Sequence, residues 1–460
     1  MWMIFRKIRH YCRLFQDAAH NGGLTYALAR TWSFVRRRTA LRLGRRTALR
    51  LGRRTALRLG RGAGATFKPT GSPFADIVET LRFAPTTQPL LLIVSDTQIR
   101  QCIHYRIHQK IRYLAQLGIK AMHIAPSEVG RLRSFVPLAH TVIVYRTALD
   151  DEWISIFRQA GALVLYEFDD VVVGKSVVEE SGILEQVTGI QAEGLLRQAE
   201  AFQATALACD GLIVSTPYLA ELYGRPENGL ADKPRMILPN FVETDDFAAP
   251  GKKGATFAFT SPSGSIHAEL GMLTEFLRSY DRAADRDWSI IVMGNPVAQR
   301  HLSAARFSRG TILTRPFSDF DSYLAAVATA ETVLIPLSDS GFNRAKTPIR
   351  LMDAAVAGSQ AVFSPVGAYE TIRDALHDQA LCVAPSDWGQ AGERLIPLLS
   401  HAETTTANFQ QAVRQCFGIA AAKECYRALF VEELGLGEPI PTPLPRLEPR
   451  DDNASLRFAA

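Results

Sequence analysis

Cysteine is scarce in this chain of 460 residues. Its six cysteines (Cys12, Cys102, Cys209, Cys382, Cys416 and Cys425) form no C-x-x-C pair. That spacing excludes a disulfide scaffold and a zinc site, and it reads as buried or incidental thiols in a reducing compartment. No apolar run approaches the roughly 18–20 residues that span a bilayer. Residues 1–15 mix Trp2, Met3, Ile4 and Phe5 with Arg6, Lys7, Arg9 and Arg13, without the uninterrupted apolar core of a signal peptide. The expectation is a cytoplasmic body. Acidic residues are nearly missing from one segment only. Residues 1–61 hold 16 Lys and Arg against a single acid, Asp17, while residues 62–460 hold 36 basic and 45 acidic residues. The net charge of +6 is therefore the sum of a +15 extension and a −9 body. No aromatic residue lies between Phe34 and Phe67 to stack on bases, so no specific nucleic-acid partner is expected. At 47% hydrophobic and 21% charged, the bulk of the chain is not a disordered protein.

The extension contains the octad RRTALRLG three times without error, at 37–44, 45–52 and 53–60. Eight helical steps of 100° leave about 80° of drift per repeat, so Leu41, Leu49 and Leu57 form no stripe. Two readings stand: a solvated basic tail, or electrostatic attachment of residues 1–61 to an anionic membrane surface. The second would place the protein peripherally at the inner face of the cell membrane, with residues 1–15 as an interfacial helix.

From about Gln88, short β-rich runs alternate with segments of helical period, the signature of parallel α/β domains. Strands are expected at 90–96, 121–126, 141–146, 162–170 and 211–216, and again at 256–261, 288–294, 311–316, 332–337, 360–365 and 381–385. Helices are expected at 99–117, 149–160, 190–208, 217–224, 267–281, 318–328, 346–357, 368–377 and 387–400. The chain thus divides into a basic extension (1–87), a Rossmann-like half (88–247), a linker (248–255) and a second Rossmann-like half (256–400). A helical segment (401–435), as one helix or two, and a Pro-rich tail (436–460) follow. Two doubly wound halves facing a cleft bind ligands beyond the carboxyl ends of their strands.

Gly341–Gly358 follows a strand and opens a helix, whose free N–H groups suit a diphosphate. Arg344, Lys346 and Arg350 add positive charge, and Asp353, two turns after Lys346, could accept from ribose hydroxyls. An ordinary surface helix with i, i+4 cations fits the same spacing. Glu167, Asp169 and Asp170 end a strand-like run, where acids serve as a general base, contact acceptor hydroxyls, hold a metal or cap the next segment. His104 and His108 are four apart on a helix but lack an HExxH frame. Arg100 and Arg106 follow the first strand, where either could bind an anionic acceptor or simply be solvated.

The run FNRAKTPIRLMDAAVAGSQAVFSPVGAYETI resembles the donor-binding region of GT-B glycosyltransferases, particularly bacterial transferases of the family 4 and family 1 type. CIHYRIHQKIRYLAQLGI, VLYEFDDVV, LACDGLIVSTPYLAELYG and, more loosely, FTSPSGSIHAELGML resemble further segments of that family in the same order, over roughly 90–400. The resemblance implies transfer of a sugar from a nucleotide-sugar donor to a glycan or lipid-linked acceptor in bacterial surface polysaccharide synthesis, without a cofactor or obligatory metal. It implies donor contacts at Gly264, Ser265, Asn343, Lys346, Thr347, Arg350, Asp353, Gly367 and Tyr369. Asp169, Asp170 and His267 are the candidate catalytic residues, and Arg106 and Glu167 the candidate acceptor contacts. Many relatives carry a Glu-x7-Glu pair here. Its first position is Ala345 in this chain, and its second is Asp353. A nucleotide-sugar epimerase or a non-catalytic scaffold of a polysaccharide-assembly complex are the alternative readings.

Overall fold

The computed structural model describes residues 90–128, 139–187, 189–243, 247–250, 253, 255–260, 267–316, 319–376 and 381–436. The basic extension with its octads, Gly264, Ser265 and the Pro-rich tail lie outside the described residues.

Two parallel sheets organise the chain. The first comprises β1 (Leu90–Val94), β2 (Lys120–Ile124), β3 (Ala139–Tyr145), β4 (Leu163–Phe168), β5 (Gly211–Val214) and β6 (Arg235–Ile237), in the order β2-β1-β3-β4-β5-β6. The second comprises β7 (Ala255–Thr260), β8 (Trp288–Met293), β9 (Gly310–Arg315), β10 (Ala330–Ile335) and β11 (Gln360–Phe363), in the order β11-β10-β7-β8-β9. Every strand pair is parallel. Helices cover both faces of such sheets, which is why LLLIV in β1 is buried throughout and shows no polar alternation. The strand order reverses between β1 and β3 in the first sheet and between β7 and β10 in the second, so these are the points where a ligand crevice forms.

The expected elements are present, but the helices Lys175–Glu180 and Pro296–Ala305 are additional to them, Gly367–Ala375 is a 3₁₀ helix, and three further differences stand out. The run at 381–385 makes only a bridge between Cys382 and Phe363. β6, whose three residues are partly exposed, adds an edge strand too short for its sequence to announce. The helix expected over 346–357 starts only at Ile349 (Ile349–Val356), and a separate short helix, Gly341–Arg344, precedes it. Pro348 separates them, because it has no N–H to continue the ladder. Lys346 and Thr347 therefore lie in the turn between two helices.

The C-terminal segment is also two helices. Ala402–Phe417 buries Phe409 and Val413 in the core of the second half. After Gly418, Ile419–Tyr426 and the π-helical Arg427–Glu433 bury Tyr426 and Phe430 in the core of the first half. A Cβ at Gly418 would lie 2.3 Å from the Arg414 carbonyl oxygen, so the break needs glycine. Among the described residues, no helix is long and apolar enough to cross a membrane.

Candidate functional site

The carboxyl ends of the two sheets meet through the segment 341–353. Phe342 N donates to Ser181 O at 2.9 Å. Asn240 Nδ2 donates to Thr347 Oγ1 at 2.9 Å. Thr347 is thus a docking residue between the halves. Ser340 caps the short helix by accepting from Asn343 N at 3.2 Å. Asn343 Nδ2 then donates to Glu269 Oε1 at 2.7 Å and to Ser338 O at 2.9 Å. Glu269 belongs to the first turn of the helix His267–Ala283, which follows β7. The β7/β10 crevice is therefore bridged by one polar network. His267 opens that helix, but its side chain is not among those described.

Lys346 lies in this crevice, with Nζ 4.3 Å from the centre of the Phe342 ring. Burial, with the neighbouring charge of Arg350, lowers its pKa to about 8, against the opposing pull of Asp170 and Glu269. Arg350 Nη1 donates to Thr260 O, at the end of β7, at 3.3 Å. Two cations thus converge on the second sheet's crevice, and a carboxylate of the first half, Asp170, acts on one of them across the cleft. Burial raises the pKa of Asp170, and Arg146 and Lys346 hold it back. Its neighbour Asp169 accepts from Tyr145 Oη and Arg146 Nη1, both at 3.0 Å. Burial raises its pKa too, but Arg146 and Arg106 outweigh that and leave it below the ordinary carboxylate range. Of the two acids, Asp170 holds a proton more readily. Arg146 itself has φ 45°, a left-handed conformation that bulky residues rarely adopt, at the end of β3.

Several expected contacts are corrected. Glu167 is 0% exposed and lies between Arg106 and Lys110, which are 1% and 0% exposed. Arg106 Nε donates to Glu167 Oε1 at 2.7 Å, and Lys110 Nζ pairs with Oε2. Arg106 Nη1 also donates to Leu238 O at 2.7 Å and to Asn240 Oδ1 at 3.0 Å. This pair is an interior clamp, with no surface for an acceptor. Asp353 is 1% exposed, and it accepts from Tyr105 Oη at 2.5 Å and Tyr323 Oη at 2.9 Å. Both oxygens are occupied, so it does not present a carboxylate to a ribose in this arrangement. Burial pushes its pKa up to about 7, against the hydrogen bonds from the two tyrosines and the charge of Arg350. Gly367 has φ 58°, and a Cβ there would lie 2.2 Å from Arg344 O, so backbone approach explains the glycine. Tyr369 is buried in the second core. His104 stacks on Phe320 at 3.8 Å and 13°, and burial lowers its pKa to about 4.

A cavity of about 320 Å³ opens between Tyr218 of the first half and Arg344, Gly367 and Glu370 of the second. Among the described residues, no group of three or more His, Cys, Asp or Glu side chains is placed to hold a metal ion. The residues missed from sequence are Tyr105, Tyr323, Lys110, Arg146 and Glu269. Only Glu269 had a local signal, as an acid in a helix's first turn.

No known family profile matches the chain, and no curated protein matches it. Among solved structures, it is similar to a glycosyltransferase from Rickettsia africae at 10% identity and a TM-score of 0.49, over 76% of this chain and 99% of that one. It is similar to T4 phage BGT, solved with its UDP-glucose substrate, at 10% identity and a TM-score of 0.47, over 76% of this chain and 100% of that one. It is also similar to S. aureus TarM, solved with UDP, at 12% identity and a TM-score of 0.44, over 66% of this chain. It spans 58% of the length of TarM, less than two thirds.

Proposed function

We propose that the chain is a nucleotide-sugar-dependent glycosyltransferase of the GT-B type. The observation that carries this reading is Lys346, a half-buried cation at the strand-order reversal of the second sheet, whose charge is felt by Asp170 of the first. A partly desolvated cation at a crevice of this kind favours an anion, and the N-terminus of the helix Ile349–Val356 favours the same charge. A nucleoside diphosphate supplies it. Lys346 and Arg350 would then stabilise the negative charge that develops on the leaving diphosphate. Asp170, with its raised proton affinity and its position across the cleft, is suited to take a proton from an acceptor hydroxyl. No obligatory metal is proposed, because the two cations can neutralise the diphosphate.

The acceptor class is a glycan or a lipid-linked glycan of bacterial surface polysaccharide synthesis, reached from a peripheral position on an anionic membrane through residues 1–61. Calorimetric titration of the full chain with UDP, GDP and dTDP tests the donor site. One of them should bind, and Lys346→Ala should weaken it at least about tenfold, the worth of one charge-assisted contact, with little change in melting temperature. Equal affinity of Lys346→Ala and wild type would remove the reading. Conversion of donor alone into an isomer would mark an epimerase, and donor binding without transfer to lipid-linked acceptors a scaffold.

A further inference from the structure

Glu269 and Asn343 are 3% and 0% exposed, and their hydrogen bonding is one-sided. Asn343 Nδ2 and Ser338 Oγ both donate to Glu269 Oε1, at 2.7 and 2.9 Å. Among the described residues, Glu269 Oε2 and Asn343 Oδ1 have no hydrogen-bond partner. A buried acceptor without a donor is costly, and two in one network beside a ligand crevice call for a ligand that brings two donors. The folded chain does not need the pair left open, since Ser338 and Asn343 Nδ2 already tie the network together.

We propose that Glu269 and Asn343 bind the transferred sugar, each accepting a hydrogen bond from one of its hydroxyls. This rests on the diphosphate reading of Lys346. Lys346 N donates to Asn343 O at 3.1 Å, and Asn343 Nδ2 donates to Glu269 Oε1 at 2.7 Å, so the pair adjoins the lysine. With a diphosphate on Lys346, the group attached to its outer phosphate lies within reach of the neighbours of that lysine. An anion would be repelled by Glu269, and an ammonium by Lys346 and Arg350. A neutral polyol satisfies both acceptors. Glu269 reaches the crevice from the helix after β7, on the other side of the strand-order reversal.

Glu269→Gln tests the assignment. Its carbonyl oxygen can still accept from Asn343 and Ser338, which puts an amide N–H₂ where the unpartnered oxygen was. The full chain is titrated with UDP, GDP and dTDP and with UDP-glucose, UDP-N-acetylglucosamine, GDP-mannose and dTDP-glucose. The bare nucleotide should bind the variant as tightly as wild type or more tightly, since a negative charge beside the diphosphate is gone. The affinity of the sugar form relative to the bare nucleotide should fall about tenfold. An equal change for both forms, or no change, would make Glu269 a counter-charge to Lys346 only and overturn the inference while leaving the transferase reading intact. Failure of wild type to bind any of these nucleotides would overturn both. Should the variant not fold, wild type titrated with singly deoxygenated forms of the bound donor decides. Removal of one or two hydroxyls should weaken binding, and equal affinity for every deoxygenated form would overturn the inference.

Discussion

A carboxyl group buried away from water keeps its proton longer than one in water, even where two tyrosine hydroxyls donate to it. Asp353, with a pKa near 7 against an ordinary 3.8, is that case. Its folded pKa is raised, so the stability it contributes is complete below about pH 4 and is lost as pH rises to about 7. Asp353→Asn retains an acceptor and a donor for the two hydroxyls and cannot ionise. Between about pH 5 and 7 the unfolding free energy of wild type from urea titration should fall relative to this variant, with a limiting slope of about 1.4 kcal/mol per pH unit. Parallel curves would show that Asp353 does not titrate in this range. The same residue shows what its sequence neighbourhood carries. Asn343, Lys346, Arg350 and Asp353 share a segment, and the sequence shows that they are neighbours along the chain. The groups that occupy Asp353 come from positions 248 and 30 residues away, and no local periodicity links them.

Among the elements, the helical run over residues 100–116 is fastened to β4 by charge. Glu167 neutralises Arg106 and Lys110 at once, all three being buried. Taking two cations out of water is costly without that partner, and breaking such a pair costs about 3–5 kcal/mol. Glu167→Leu should therefore lower the melting temperature sharply, while nucleotide affinity of the folded material stays near wild type. A variant that is fully stable yet impaired in sugar transfer would return Glu167 to the cleft. Both sheets were legible as elements because parallel strands covered on two faces are written as apolar runs, as in LLLIV of β1 and WSIIVM of β8. The run LCVAP has the same composition but lies past the sheet edge, where it finds one bridge to Phe363. Composition reports burial, and Leu381 and Val383 are indeed buried, but pairing depends on where the chain arrives. The acids after β4 illustrate the same limit. Strand alternation turns Glu167 into the clamp with Arg106 and Lys110, whereas Asp170 comes to act across the cleft on Lys346.

At the scale of the whole molecule, the chain passes between its halves after β6 and again at Gly418, and the two passages touch where Val242 N donates to Phe417 O at 2.9 Å. The amphipathic period of 403–433 announced helix, but not that its last third serves the other core, since apolar residues such as Tyr426 and Phe430 fit either one. Charge is the property best read at this scale. The +15 of residues 1–61 against the −9 of the remainder makes a molecule whose attraction to an anionic surface should reside in one segment. Each Lys or Arg near such a surface contributes up to about 1 kcal/mol, and salt screens it. The full chain should co-sediment with phosphatidylglycerol vesicles, release at high salt, and ignore phosphatidylcholine vesicles. A chain lacking residues 1–61 should stay in the supernatant and keep its nucleotide affinity, because Lys346 and Arg350 answer to local geometry. Equal sedimentation of the truncated chain would place the attraction on the body, against its net charge. Failure of the full chain to sediment would leave the octads without a membrane role.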